Sequence, residues 1–514
     1  MKRTMKRIYL LLALAVVAIM TPHTTRAFMS STYHGIFAVP GRAYYVDSIN
    51  GNDTNNGLSP SQAFMTIAHL TAADATKHIN TWKLADNSHW REELNVPRNN
   101  MIIEAYGQGA RPILDGSDIF LPAQWSKTGG YTNLYQATVT LAEGNTSGFV
   151  NILENGAFLH RATSQANCDA TAGTYWPGTE NAGANTVYIH ATADASPITN
   201  GAVYEITTRA FGIRDYPINC KFYGLETRQS LDLTGSFFLA TGGYAKNMMF
   251  RNGSKHNVIV QDATLIEDSE ARGAYYNTTA TLWVYYVTAA NTGMTATCNR
   301  CRATMPTAPS VTVGGAYIGF FGHAGSGTWG PITYNDCYTK YMGTGFGGGQ
   351  STALTINNPT IVESETSFSL SATTNFINGG SALSPTEGNA GIYANGGISI
   401  TVRNLTLSGG RAASGGVRNV WESGTNIDIQ NSSLTGWGTT VQLYSTGVAG
   451  NIVFSYDTLA ATDWFYVFGA VPTSLASDYN IFTSPGAGNR FKLSGNKTYT
   501  QWKALGIYDQ HSTP

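Results

Sequence analysis

The chain is 514 residues long, 42% hydrophobic and 11% aromatic, with 56 glycines and only 12% charged residues. That apolar share excludes a disordered chain, and the scarcity of Lys, Glu and Gln argues against a helical one; the composition is that of an all-β protein rich in turns. Five of the 31 basic residues lie in the first 26 positions, and without them 26 face 32 acids, a net of −6 that excludes the basic footprint of a nucleic-acid binder.

Those first residues read as an export signal. Lys2, Arg3, Lys6 and Arg7 precede an apolar run from Ile8 to Met20, and Thr25-Arg26-Ala27 suits cleavage. The run is too short for a spanning helix, and no later stretch is apolar for long enough. The chain from about Phe28 onward is expected to be secreted or extracytoplasmic (periplasm, cell surface or medium), an uncleaved anchor being the alternative.

Residues 28–119 read as an N-terminal cap with the first coils. Ala43-Tyr44-Tyr45-Val46 is a short strand, Asp47 to Ser59 a turn-rich loop, and Phe64 to about Ile79 a short helix. Asp47, Asp53 and Asn56 suit turns, with calcium binding as the alternative. Residues 120–210 break the pattern with short strands between Gly, Asn and Ala loops, a β-rich insertion.

From 211 to about 470 one phrase recurs: apolar-x-apolar-x-Asn/Asp. It marks Asp262, Asn299, Asn335, Asn358, Asn404, Asn431 and, weakly, Tyr456. The steps are 37, 36, 23, 46, 27 and 25 residues, the 46 being two units of 23. Such a period, with alternation inside each unit, predicts a solenoid. Stacked amides at these marks bond one another, a structural role. Residues 471–514 are expected to cover the last coils.

The five cysteines leave an odd thiol. On one strand, Cys298 and Cys301 would point to opposite faces and share no site. Cys301 and Cys337, each two residues past a mark, should stack as small buried hydrophobes.

The runs Tyr44 to Gly57, Phe64 to Ile67, Trp90 to Pro97 and Ala105 to Gly116 resemble the opening of secreted right-handed parallel β-helix proteins of the pectate-lyase-like superfamily. Ser477 to Asn480 with Trp502, Gly506, Asp509, His511 and Ser512 resembles their close. The resemblance implies an all-β, right-handed parallel β-helix with an N-terminal cap. Its members include lyases, hydrolases, esterases and epimerases acting on polysaccharides, plus surface proteins with no known activity.

The long steps locate the candidate site, because spare residues must leave the coils as loops. Residues 250–345 also hold the densest charge and aromatic content. β-Elimination needs a group to neutralise a uronate carboxylate, a base and an acid; Lys255, Arg272, Tyr275 and His323 are the candidates. Some alginate-lyase-type β-helix enzymes pair Lys and Arg about one coil apart, and Lys255 with Arg272 loosely resembles that. Tyr276, Trp283, Tyr285 and Trp329 are candidates for stacking on sugar rings. Glu267, Asp268 and Glu270 are candidate Ca²⁺ ligands. Five residues past the marks stand Glu267, Thr304, Lys340 and Glu363, so Lys340 and Glu363 are expected to pair. The expected function is polysaccharide cleavage by elimination, slightly ahead of hydrolysis. A non-catalytic surface or matrix protein that binds polysaccharide or cells is the alternative.

Overall fold

The computed structural model describes residues 42–513 apart from 143–149, 232–235, 254–255, 275–281, 288–293, 307–316, 323–329, 349–352, 385–389, 395–397, 410–414, 420–425, 444–450, 469–473, 484–490, 493–494 and 507–508. The export-signal segment therefore lies outside the described residues.

About 13 coils stack in parallel into a β-solenoid, with only three short α-helices among the described residues. Most coils carry three short strands. The coil from 332 to 348, for example, runs Ile332–Asn335, Tyr338–Lys340 and Thr344–Gly348. The first strands of successive coils form a 14-stranded parallel sheet beginning at Ala43–Val46 and ending at Ser474–Asp478. Alternation along each strand sends every second side chain inward. Trp82, Ile103, Phe222, Ala245, Ile266, Cys298, Tyr334 and Ile356 are thus in register and fully buried. On the third face Tyr285, Phe320, Phe346 and Phe368 stack, with centroids 4.7, 5.0 and 6.0 Å apart.

From the strand Lys221–Tyr223 onward, a sharp corner follows the first strand of each coil. Gly224, Asn247, Asp268, Arg300, Asp336, Asn358, Gly379, Asn404, Asn431, Tyr456 and Tyr479 occupy it, all with φ between 48° and 72°. Asn, Asp and Gly tolerate this left-handed conformation, which explains the marks at Asn358, Asn404 and Asn431. The phrase mixes two columns, however. Asn299 and Asn335 end their strands, whereas Asn358, Asn404, Asn431 and Tyr456 stand one position later, at the corner. Asp262 belongs to neither and precedes the strand Thr264–Glu267. In true register Glu267, Asn299, Asn335, Asn357 and Asn378 align. The long coils are then 32 and 36 residues, from Glu267 to Asn335, and the next is 22. The coil missing from the 46-residue step is present, its first strand Thr374–Asn378.

The same corner corrects two expectations. Arg300 turns the chain, so Cys298 and Cys301 both point inward; they are buried and close enough for their thiols to hydrogen-bond, with Cys337 beside them. Burial in this apolar setting raises the Cys298 and Cys337 thiols well above their usual range. Lys340 aligns with Val362, not Glu363, and its ammonium lies over the Tyr341 ring at 4.3 Å.

At the N-terminal end, the helix Ile67–Lys77 covers the open core with Ile67 and Leu70. Asp47 is a turn acceptor, taking the amides of Ile49 and Asn50, whereas Asp53 closes the loop by taking the amides of Met65 and Thr66, 12 and 13 residues on. The chain leaves the solenoid after Ile113–Asp115 and rejoins at Ile213–Arg214. Between them lie a four-stranded and a five-stranded sheet of mainly antiparallel strands around a separate core that includes Trp125, Tyr175, Val187 and Tyr204. At the C-terminal end, buried Asp509 accepts from Ser477, Asn480, Ser512 and the Trp502 indole, and Trp502 stacks on Phe491 at 4.8 Å.

Candidate functional site

The second strands of the coils build a charged face. Glu226–Arg228, Met249–Gly253, Glu270–Ala274, Arg302–Thr304 and Tyr338–Lys340 lie side by side. Thr227, Phe250, Ala271, Ala303 and Thr339 point inward and are fully buried. The flanking residues point outward in two columns. One runs Glu226, Met249, Glu270, Arg302, Tyr338; the other runs Arg228, Arg251, Arg272, Thr304, Lys340.

Glu226 is 7% exposed and Glu270 6%. A carboxylate so enclosed needs charged partners. Arg228 and Arg251 reach Glu226 at 2.5 and 3.1 Å. Arg272 grips Glu270 with two bonds, 2.6 and 3.1 Å, and this partner raises the basicity of its guanidinium. Arg111 enters from the turn before Ile113 and donates to the Asn247 carbonyl and side chain. Burial lowers the basicity of Arg111, opposed by the charges of Glu226 and Glu270. A cavity of about 240 Å³ opens here, lined by Arg111, Met248, Met249, Arg251, Asp268, Glu270 and Arg272. Equivalent positions in adjacent coils lie about 4.8 Å apart, so the backbones of Glu226 and Glu270, two coils apart, lie about 9.6 Å apart.

The cavity brings together Arg272, Asp268 and Glu270 of the expected residues. Glu267 is turned to the neighbouring face. There it accepts from Tyr244 at 2.7 Å and Asn299 at 3.1 Å, and the amides of Asn335 and Asn357 continue the ladder at 2.8 Å each. Burial alone would raise its carboxyl; these bonds and the Arg300 charge hold it below the usual range. Asp268 is taken by Arg300 at 2.6 and 3.1 Å. Of the three carboxylates expected to share calcium, Glu267 thus lies on another face, while Asp268 and Glu270 are engaged by Arg300 and Arg272. Among the described residues no three His, Cys, Asp or Glu side chains are grouped to hold a metal ion.

Tyr285 is no sugar platform. Alternation on the strand Leu282–Val287 sends it into the aromatic core stack, fully buried, its hydroxyl donating to the Ser269 carbonyl at 3.1 Å. Lys255, Tyr275, Tyr276, His323 and Trp329 lie outside the described residues, as does the side chain of Trp283. Glu226, Arg228 and Arg111 were missed by sequence reasoning. A signal existed: Glu226-Thr227-Arg228 and Glu270-Ala271-Arg272 repeat one Glu-x-Arg phrase.

No protein-family model matches the chain, and no curated protein matches it. Solved structures do. A complex of XylC with xylose is 8% identical, covering 92% of this chain and 82% of its own, with a TM-score of 0.44. A glycoside hydrolase is 9% identical, covering 81% and 96%, at 0.49. The Gp54 tailspike of Acinetobacter baumannii bacteriophage AP22, in complex with capsular saccharide, is 8% identical, covering 81% and 72%, at 0.30.

Proposed function

We propose that the chain hydrolyses a polysaccharide over the face bearing Glu226 and Glu270. The observation behind this reading is the pair itself: two enclosed glutamates at one register position, two coils apart, beside an open cavity. Inverting glycosidases need carboxyl groups roughly 6.5–9.5 Å apart, leaving room for a water. One carboxyl protonates the departing glycosidic oxygen. The other takes a proton from a water that attacks the anomeric carbon on the opposite side, so the product forms with inverted configuration. Arg111, Arg251 and Arg272 outnumber Asp268 and Glu270 around the cavity, which favours an acidic polysaccharide. With 1–27 taken as an export signal, the proposed substrate lies outside the cytoplasm.

Elimination is the second reading, favoured by the same arginines, which suit neutralisation of a uronate carboxylate. Its base and acid would come from Lys255, Tyr275 or His323. A panel of acidic and neutral polysaccharides, read for reducing ends, unsaturated ends and anomeric configuration, separates the two. Hydrolysis predicts inverted reducing ends, and Glu226→Gln and Glu270→Gln each slowing turnover about 10²–10⁴-fold. Unsaturated ends would establish elimination. Binding with no product from any polysaccharide would leave a non-catalytic surface protein.

A further inference from the structure

The insertion carries a concavity of its own, apart from the charged face. Its five-stranded sheet has two unlike sides. Tyr175, Val187 and Ile189 alternate inward and build the insertion core. Trp176, Tyr188, Thr186 and Thr138 alternate outward, with Trp176 paired to Tyr188 and Thr186 to Thr138. The Trp176 and Tyr188 rings lie 5.3 Å apart at 34° and are both partly exposed. Around them opens a hollow of about 350 Å³, completed by Gln165, Gly178, Thr179 and Asn185. That volume is within the ~300–1,000 Å³ of small-molecule sites.

The wall of the hollow is built. After Trp176 the chain turns back over the sheet at Gly178, whose φ is +72°, and a Cβ there would stand 2.4 Å from the Thr186 carbonyl. Asn185 fastens the same loop, donating to the Asn181 and Gly183 carbonyls and accepting from the Asn181 amide at 3.0 Å and the Thr179 hydroxyl at 3.1 Å.

The chemistry of the lining selects the ligand. Among the described residues it contains no Lys, Arg, His, Asp or Glu. A phosphate or uronate would be desolvated there with no opposite charge to receive it. An aromatic platform rimmed by hydroxyls and amides suits a molecule with an apolar C–H face and a hydroxylated edge. We infer that the hollow at Trp176 and Tyr188 is a binding site for a neutral saccharide. It is independent of the catalytic reading, because it shares no residue with the charged face.

The test uses the full chain and three neutral probes: β-1,4-linked hexasaccharides of glucose, xylose and mannose. Binding is followed by titration calorimetry and by tryptophan fluorescence. At least one probe is expected to bind and to perturb tryptophan emission, and Trp176→Ala to weaken that binding at least tenfold. Trp176 faces away from the insertion core, so the variant is expected to fold. Thr138→Arg serves as a second variant, since it fills the hollow from an exposed position and should weaken binding equally. Glu270→Gln should leave this binding unchanged, which separates its loss from any failure of the cleavage reading. Absence of binding by all three probes, or binding unaltered in both Trp176→Ala and Thr138→Arg, would overturn the inference.

Discussion

Glu270 and Tyr285 lie in the same coil and show how one alternation decides two roles. Glu270 points outward, where Arg272 and the cavity meet it; Tyr285 points inward, onto Phe320. Tyr285→Phe keeps that stack and removes only the bond to the Ser269 carbonyl. It is expected to cost about 1 kcal/mol in a denaturant titration and to leave saccharide turnover unchanged. Asp457 illustrates the opposite case, a buried acid with little charge support. Burial pushes its carboxyl up to about 7, against which the Ser432 amide is an insufficient counterweight. A carboxyl whose folded value is raised contributes most below its unfolded value, near 4, and its contribution is lost as pH rises toward 7. Asp457→Asn is therefore expected to flatten the fall in melting temperature between about pH 4 and pH 7. An unchanged slope would rule out Asp457 as its source.

Columns are the working unit at the scale of the element. Each strand is three to six residues in most coils, too short to stand alone, and gains its stability from the rungs above and below. The apolar columns matter more than the amide ladder. Phe346→Ala opens a void between Phe320 and Phe368 and is expected to cost about 3–5 kcal/mol. Asn335→Ala loses two ladder bonds at the surface, each worth about 1 kcal/mol. Chemical denaturation of the two variants should rank them in that order. Much of this scale was legible in the sequence, since alternation and spacing reveal coils directly. The exact column was not. Asn299 and Asn358 look equivalent in the phrase, yet one ends a strand and the other turns the corner, and only the stacking register separates them. Glu226 was missed for a related reason: a lone Glu-x-Arg gains meaning only when a second copy is brought two coils away.

For the whole molecule, a solenoid is quasi-one-dimensional and its ends are its weak points. The helix Ile67–Lys77 protects one end, and the Asp509 network with Trp502 protects the other. Asp509→Ala would leave the donors of Ser477, Asn480, Ser512 and Trp502 without their acceptor, a loss of about 3 kcal/mol or more. The effect should be local: hydrogen exchange is expected to accelerate in the strands Ser474–Asp478 and Ile481–Thr483 before the central coils. Uniform acceleration along the chain would show that the cap acts on the solenoid as a whole.

The sequence by itself determined the repeat, the all-β class, the coil count within the 46-residue step and the region where the coils lengthen. These follow from local rules: side-chain alternation, turn chemistry and spacing along the chain. Only the tertiary structure decided which carboxylates meet which arginines, that Tyr285 belongs to the core, that Cys298 and Cys301 share a face, and that Glu226 and Glu270 stand at one register position two coils apart. Each of those depends on the corner between strands and on the register between coils. A corner of one residue reverses which side the next strand presents, and no periodicity along the chain records that turn.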